Sequence, residues 1–502
     1  MRRLRSKPVT TPRFSHTVAT RRTLLPFVCL LALALGGCGI ATGTGRDPGS
    51  PSAAPSSATA SATTPVPDAD AAQGPSQTAN PAMPTTTASG SGAEAHPDAA
   101  EKTALADKYG LTSASPRPPV TIPDLGMTQK PLPDADGLAF VAGMGPGWNL
   151  GNTFDAIDGG VTDELSYETL WSGAATTREL IRAVREKGFR TLRLPVSWHN
   201  HVSGEDHVIS KAWLDRVQEV VDWALAEDMV VILNIHHDNN PDFLYPDTAH
   251  YAASAHYMER IWTQLAARFG DYDERLVFEA MNEPRLSESA TYAWWISTAA
   301  EEGVDAVDCI NRLNQLFVDT IRASGKTNRT RWLMVPGYCA SPQFAVIPEF
   351  TLPTDAANPN GSRIMVSAHA YTPYAFALQA PAESGGTDRF KISSAYFTKD
   401  IDAALESLYK RYTSQGIPVV IGEFGSRAKG ENLQDRVEHA AYFAAAARIR
   451  GMTCVWWDNN AFSGDGEIFG LIDRASLTWR HEPIADAIVR YAGSPQTGRT
   501  GK

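Results

Sequence analysis

Eight short runs rich in Val, Ile and Leu, spaced by segments with helical periodicity, constrain this chain more than any other feature. They span 145–150, 191–195, 230–235, 276–281, 331–335, 363–368, 418–422 and 453–457. Runs that short and that apolar read as strands buried on both faces, as in a parallel sheet. Segments between them, such as 211–226, carry Leu214, Val217, Val221, Ala224 and Leu225 on one side, with Ser210 placed to cap the helix start. Gly188, Gly325, Gly416 and Gly451 each stand just ahead of a strand, where glycine can take the left-handed conformation that ends a helix. Eight strands alternating with helices predict an α/β chain, a single (β/α)8 TIM barrel over 131–493. The rival is an open doubly wound sheet. No G-x-G-x-x-G follows the first strand, so the nucleotide signature of that fold is absent.

The chain around this barrel has a different chemistry. Residues 1–37 hold seven cations and no acid, then an apolar run from Leu24 to Leu35 that is too short to span a bilayer, which takes ~20 residues. The run leads into Leu35-Gly36-Gly37-Cys38, which resembles a bacterial lipobox, so 1–37 is expected to be a lipoprotein signal peptide and Cys38 the lipidated residue. Arg21-Arg22 adds a weak twin-arginine signal. Residues 38–130 read as a disordered Ala/Ser/Thr/Pro-rich linker; 41–100 contain no Phe, Trp or Tyr and cannot bury enough apolar surface to offset ordering. Residues 494–502 read as a disordered tail. All twelve tryptophans lie from Trp148 onward. The 502 residues carry a formal charge of -11, which becomes -18 once the seven leader cations are removed. That balance argues against a nucleic-acid partner.

The ends of the strands carry the chemistry, since the site of such a barrel lies at the C-terminal strand ends. Strand four runs into Asn282-Glu283-Pro284 and strand seven into Gly422-Glu423-Phe424. These strands lie across the barrel mouth from each other, so two carboxylates can converge, as glycosidic hydrolysis needs. His-Ala-Tyr over 369–371 has period-two spacing and turns both polar side chains to one side. His236-His237-Asp238 invites a metal reading. Adjacent strand residues face opposite ways, and no Cys or third His has zinc spacing, so metal ligation is not expected.

At this point the chain resembles glycoside hydrolase family 5, the barrel family of cellulases and mannanases, and within it the endoglucanase-rich subfamily 4. The resemblance rests on Gly147-Trp-Asn-Leu-Gly-Asn-Thr153, Arg193-Leu-Pro-Val-Ser-Trp198, Asn234-Ile-His-His-Asp238, Asn282-Glu-Pro284, His369-Ala-Tyr371, Gly422-Glu-Phe-Gly425 and Trp456-Trp-Asp458, in the family's order over about 140–490. It implies Glu283 as general acid/base and Glu423 as nucleophile of a retaining double displacement. It also implies a carboxylate separation of about 5–5.5 Å. Proximity of the two carboxylates is expected to raise the pKa of Glu283 and keep it protonated. Arg193 is similar to the family arginine that holds the nucleophile ionised. Asn282 is implied at the sugar 2-hydroxyl, Tyr371 against Glu423, and His369 near the acid/base or the sugar. His236 and His237 are implied as sugar contacts and Trp457 as the stacking platform. Asn149, Asn152 and Asp155 are candidate polar contacts, and Trp148, Trp198, Trp294 and Trp295 are either subsite walls or core.

The implied activity is endo-β-1,4-glucanase, with no cofactor and no metal. The implied partner is a β-glucan; xyloglucan, mixed-linkage glucan and mannan remain open as substrates. Rivals from other classes are a non-catalytic surface glycan-binding lipoprotein and a metallohydrolase barrel. The expected setting is extracellular, with the membrane reached only through the N-terminal lipid, and the expected state is a monomer. Cys454 reads as an inert buried thiol. Cys309 and Cys339 can pair in an oxidising exterior, and the sequence leaves that open.

Overall fold

The structure is a computed structural model, and it describes residues 120–157, 161, 163–381, 383–464 and 466–493. The expected signal peptide with Cys38, the linker as far as residue 119 and the tail 494–502 lie outside these residues.

Eight parallel strands close into a barrel in chain order: β1 (Gly147–Leu150), β2 (Thr191–Leu194), β3 (Val230–Asn234), β4 (Leu276–Glu279), β5 (Leu333–Pro336), β6 (Ile364–His369), β7 (Val419–Phe424) and β8 (Thr453–Asp458), with β8 pairing back onto β1. Every strand run expected from the sequence is present, within a few residues at each end. One helix, α1 (Asp136–Met144), precedes β1. The longer helices that follow are α2 (Arg178–Lys187), α3 (Lys211–Ala226), α4 (Tyr251–Arg268), α5 (Glu301–Ala323), α6 (Ala395–Arg411), α7 (Leu433–Arg448) and α8 (Glu482–Ala492). They form the outer layer. The β5–β6 connection departs from the alternation, holding only two single turns, Tyr338–Ala340 and Pro342–Ala345.

The local signals account for most helix ends. Thr177 caps α2 by accepting from the Leu180 amide, and Gly188 ends it at φ 119°. The other three expected stop glycines also have positive φ. Ser210 does not cap α3. Its hydroxyl accepts from no helix amide and donates to Glu164 Oε2 at 2.6 Å.

The linker boundary expected at 131 also moves. Residues 120–130 lie along the barrel, with Gln434 bonded to both the Thr121 amide and its carbonyl. The Leu125 amide donates to the Tyr491 hydroxyl, and Ile122, Leu125 and Met127 pack on the core. Isolated apolar residues in a Pro-rich stretch give no periodicity to read, so only the surface they pack on identifies them.

Inside the barrel the side chains sort into layers, as period-two strands require. The lower layer is apolar: Ile232, Val277, Met334, Met365, Val420 and Val455, closed from below by Val141 and Met144 of α1. The next inward positions are polar. Asn149, Arg193, Asn234, Glu279 and Ser367 are all fully buried. The active end therefore rests on a buried polar layer supported by packed hydrocarbon.

Candidate active site

Glu283 follows β4, and Glu423 sits inside β7. A register irregularity aims Glu423. Ile421 pairs with Ala368, but the next partner of His369 is Glu423, so β7 holds one extra residue there. A bulge of this kind rephases a strand and re-aims a side chain. Val420 faces the barrel interior, whereas Ile421 and Phe424 both join the outer core cluster. The extra residue lets Glu423 face inward between them. Gly422 makes room for it: a Cβ there would stand 3.1 Å from His369 Nε2.

A carboxylate oxygen of Glu283, one of Glu423 and a ring nitrogen of His369 all lie within 4.8 Å of one another. That falls on the short side, where the second carboxylate can attack carbon directly; an inverting pair needs roughly 6.5–9.5 Å to admit water. Each oxygen of Glu423 has its own donor. Arg193 Nη1 donates to Oε1 at 2.8 Å, and the Tyr371 hydroxyl donates to Oε2 at 2.8 Å. Desolvation works against the Arg193 charge, but Glu279 and Glu423 outweigh it and hold the guanidinium above its usual range.

His369 is oriented by what it touches. Arg193 Nη2 lies 3.4 Å from its Nε2, and a guanidinium can only donate, so Nε2 accepts. The proton is then on Nδ1, which donates to Glu283 Oε1 at 2.8 Å. Arg285 Nη1 approaches Glu283 Oε2 at 3.3 Å. The expected rise in the Glu283 pKa is therefore not found. Burial pushes this carboxyl up, yet the hydrogen bond from His369 and the charge of Arg285 bring it below its ordinary value. Carboxylate proximity is legible in the sequence; that His369 and Arg285 both reach Glu283 is set by the fold.

Asn282 gives its Oδ1 to Arg193 Nη2 at 2.8 Å, so it presents its amide N–H groups to a ligand. Trp457 stacks parallel to the His236 ring at 5.7 Å and 3°, and Gly151 lets it do so, since a Cβ there would come within 2.7 Å of the indole. Trp456 is its buried neighbour and bonds the Phe469 carbonyl. Asn152 lies in the turn after β1 at φ 57° and remains at the rim.

Several expectations are corrected. Asn149 and Asp155 are fully buried and are not sugar contacts. Asn149 accepts from Arg193, and Asp155 accepts the Asn152 and Thr153 amides. Trp148 and Trp198 are core, each bonded through its indole N–H, while Trp294 is exposed. His236 and His237 do not face opposite ways. β3 ends at Asn234, so strand alternation no longer applies, and the two rings lie 4.4 Å apart. Together with Asp155 they bring ligand atoms within 4.8 Å, although the Asp155 oxygens are already engaged by backbone amides. Burial lowers both histidines, His237 to about 4, so they are neutral at pH 7. Cys309, Cys339 and Cys454 are all buried free thiols.

The sequence reading passed over Glu279, Ser367 and Arg285. The signal for Glu279 was present: a carboxylate inside the apolar run Leu276-Val-Phe-Glu-Ala-Met.

Comparison with known proteins agrees with this geometry. The sequence model of the cellulase family, glycosyl hydrolase family 5, matches residues 155–463. Endoglucanase A of Clostridium longisporum is 39% identical over 355 residues, which is 70% of this chain and 65% of that enzyme. A GH5 lichenase from Caldicellulosiruptor sp. F32, solved with cellotetraose, is 51% identical at a TM-score of 0.73, covering 74% of this chain and all of the lichenase. A GH5-4 broad specificity endoglucanase from Ruminococcus champanellensis with bound cellotriose is 38% identical at a TM-score of 0.64, covering 72% and 100%.

Proposed function

This chain belongs to glycoside hydrolase family 5, subfamily 4, and from that premise we propose that it is a retaining endo-β-1,4-glucanase acting on internal bonds of β-glucans. The observation that carries the reading is the pair Glu283 and Glu423, within 4.8 Å and held by different donors. Glu423 attacks the anomeric carbon while Glu283 protonates the departing oxygen, which leaves a covalent glycosyl-enzyme. Glu283 then takes a proton from water, and the hydroxide released to carbon frees Glu423. In the free enzyme both Glu283 oxygens accept hydrogen bonds. A sugar entering the cleft excludes water and brings its glycosidic oxygen to the carboxyl, which favours the neutral acid. Asn282 donates to the 2-hydroxyl, and Trp457 with His236 offers a stacked wall for a pyranose ring.

Reducing-sugar release from carboxymethylcellulose, barley glucan, xyloglucan and mannan tests the substrate class. The lichenase likeness makes mixed-linkage glucan the sharpest rival to cellulose. Proton NMR of early product should show the β anomer first. Glu283→Gln and Glu423→Gln should each remove most turnover, and near wild-type rates in either would overturn the assignment.

We further read the N-terminus as an export signal with Cys38 lipidated, so that a monomeric barrel works outside the cell on a tether. What supports this is the basic leader, the short apolar run and Leu35-Gly36-Gly37-Cys38. Cys38→Ser should release the enzyme from the membrane fraction; an unchanged distribution would reject the anchor.

A further inference from the structure

Glu279 lies below both catalytic carboxylates, with no exposed surface. Its Oε2 accepts from Arg193 Nε at 2.8 Å and from Asn234 Nδ2 at 3.0 Å, and its Oε1 accepts from the Ser367 hydroxyl at 2.5 Å. It is saturated by protein donors and reaches neither solvent nor a sugar. Yet one guanidinium serves two carboxylates, since Arg193 meets Glu279 through Nε and Glu423 through Nη1. A second buried carboxylate costs desolvation that an apolar residue in this strand would avoid.

We propose that Glu279 is a positioning residue for the nucleophile, fixing the plane of Arg193 and taking a share of its charge so that Glu423 is held without being over-stabilised. This rests on the glycosidase reading. Fixing Nε leaves Nη1 for Glu423 and Nη2 for Asn282, so one anchored fork sets two substrate-facing groups. Dividing the charge matters because a carboxylate facing an undivided cation is a weaker nucleophile. The other titratable groups facing Glu423 are His369 of β6 at 3.6 Å, Tyr371 after it, Glu283 after β4 and Glu467 from the loop after β8. Arg193, on β2, is the cation paired with Glu423 among the described residues.

Glu279→Gln keeps the shape and the hydrogen bonds. The amide oxygen faces Arg193 and Asn234, and the amide nitrogen donates to Ser367, whose hydroxyl can turn to accept. With an activated aryl β-cellobioside, the acid limb of kcat/KM should move about one to two pH units lower, as expected for one charge removed beyond a shared cation. The plateau should fall about tenfold or more through slower glycosylation, with little change in thermal midpoint. Ser367→Ala leaves Glu279 less satisfied and more strongly drawn to Arg193, so its limb should move the opposite way by a few tenths of a unit. Glu279→Asp, which keeps the charge, should restore the limb toward wild type. A limb that stays put or rises in Glu279→Gln overturns the proposal, as does movement in the same direction in Glu279→Gln and Ser367→Ala. Failure of the wild type to cleave the cellobioside would sink the glycosidase reading and this proposal with it; cleavage with an unmoved limb would sink this proposal alone.

Discussion

Arg193→Lys keeps the positive charge in the polar layer and removes the fork. Arg193 spreads its donors over three nitrogens: Nε to Glu279 at 2.8 Å, Nη1 to Glu423 at 2.8 Å and Asn149 at 3.0 Å, and Nη2 to Asn282 at 2.8 Å. A lysine ammonium is one point, placed near the former guanidinium carbon, and it cannot reach four acceptors fanned around a plane. At least two charge-assisted hydrogen bonds should be lost, each worth about 1.5–3 kcal/mol. The total is then about 3–6 kcal/mol, shared between folding and reaction. The reaction feels the Glu423 and Asn282 contacts. Losing about 3 kcal/mol of their alignment should lower kcat/KM by ~10². Kinetics on an aryl β-cellobioside at the wild-type pH optimum, beside urea unfolding curves, would separate the two shares. A variant within threefold of wild type in kcat/KM would refute the reasoning, because charge alone would then suffice.

Four further outcomes follow from the same geometry. Tyr371→Phe deletes the donor to Glu423 Oε2 with little change in shape and should cost about 10- to 100-fold in kcat/KM, read by steady-state kinetics with an unchanged melting profile. Gly422→Ala would press a methyl to 3.1 Å from His369 Nε2, so His369 must shift and activity should fall more than stability. Burial lowers His201, His237, His439 and His481 from 6.5 to about 4. The unfolded chain therefore takes up protons between pH 6.5 and 4 that the native state refuses, so stability is full above that window and falls on acidification through it. Asp155, raised to about 6, and Glu467, raised to about 7, both by burial, oppose this with two groups against four; a urea midpoint that rises from pH 7 to pH 5 would contradict the balance. EDTA should leave the wild-type rate unchanged, and loss of activity restored by a divalent ion would implicate the Asp155, His236 and His237 group or the Glu283, His369 and Glu423 group.

How far the site could be read from the sequence depended on where each residue stood. Glu283 and Glu423 mark the points where apolar runs meet loops, so a charge there asks for a reason. Glu279 stands within such a run, where the lone charge is visible but its partners Arg193, Asn234 and Ser367 come from other strands. His236 and His237 lie beyond the apolar run 230–235 and beyond β3, which ends at Asn234, and period-two alternation does not carry past the end of a strand. The segment 120–130 was passed over because its packing partners, Gln434, Ile449 and Tyr491, are more than 300 residues away.

The amino-acid sequence by itself determined the alternation of strands and helices, the closure into a barrel, and which carboxylates end at its mouth. These follow from local periodicity and from the burial of short apolar runs. Tertiary structure alone decided the bulge that turns Glu423 inward, the tautomer of His369, the lowered pKa of Glu283 and the division of Arg193 between two carboxylates. Each of these depends on groups brought together from different strands across the barrel, at distances of a few ångströms that no spacing along the chain records.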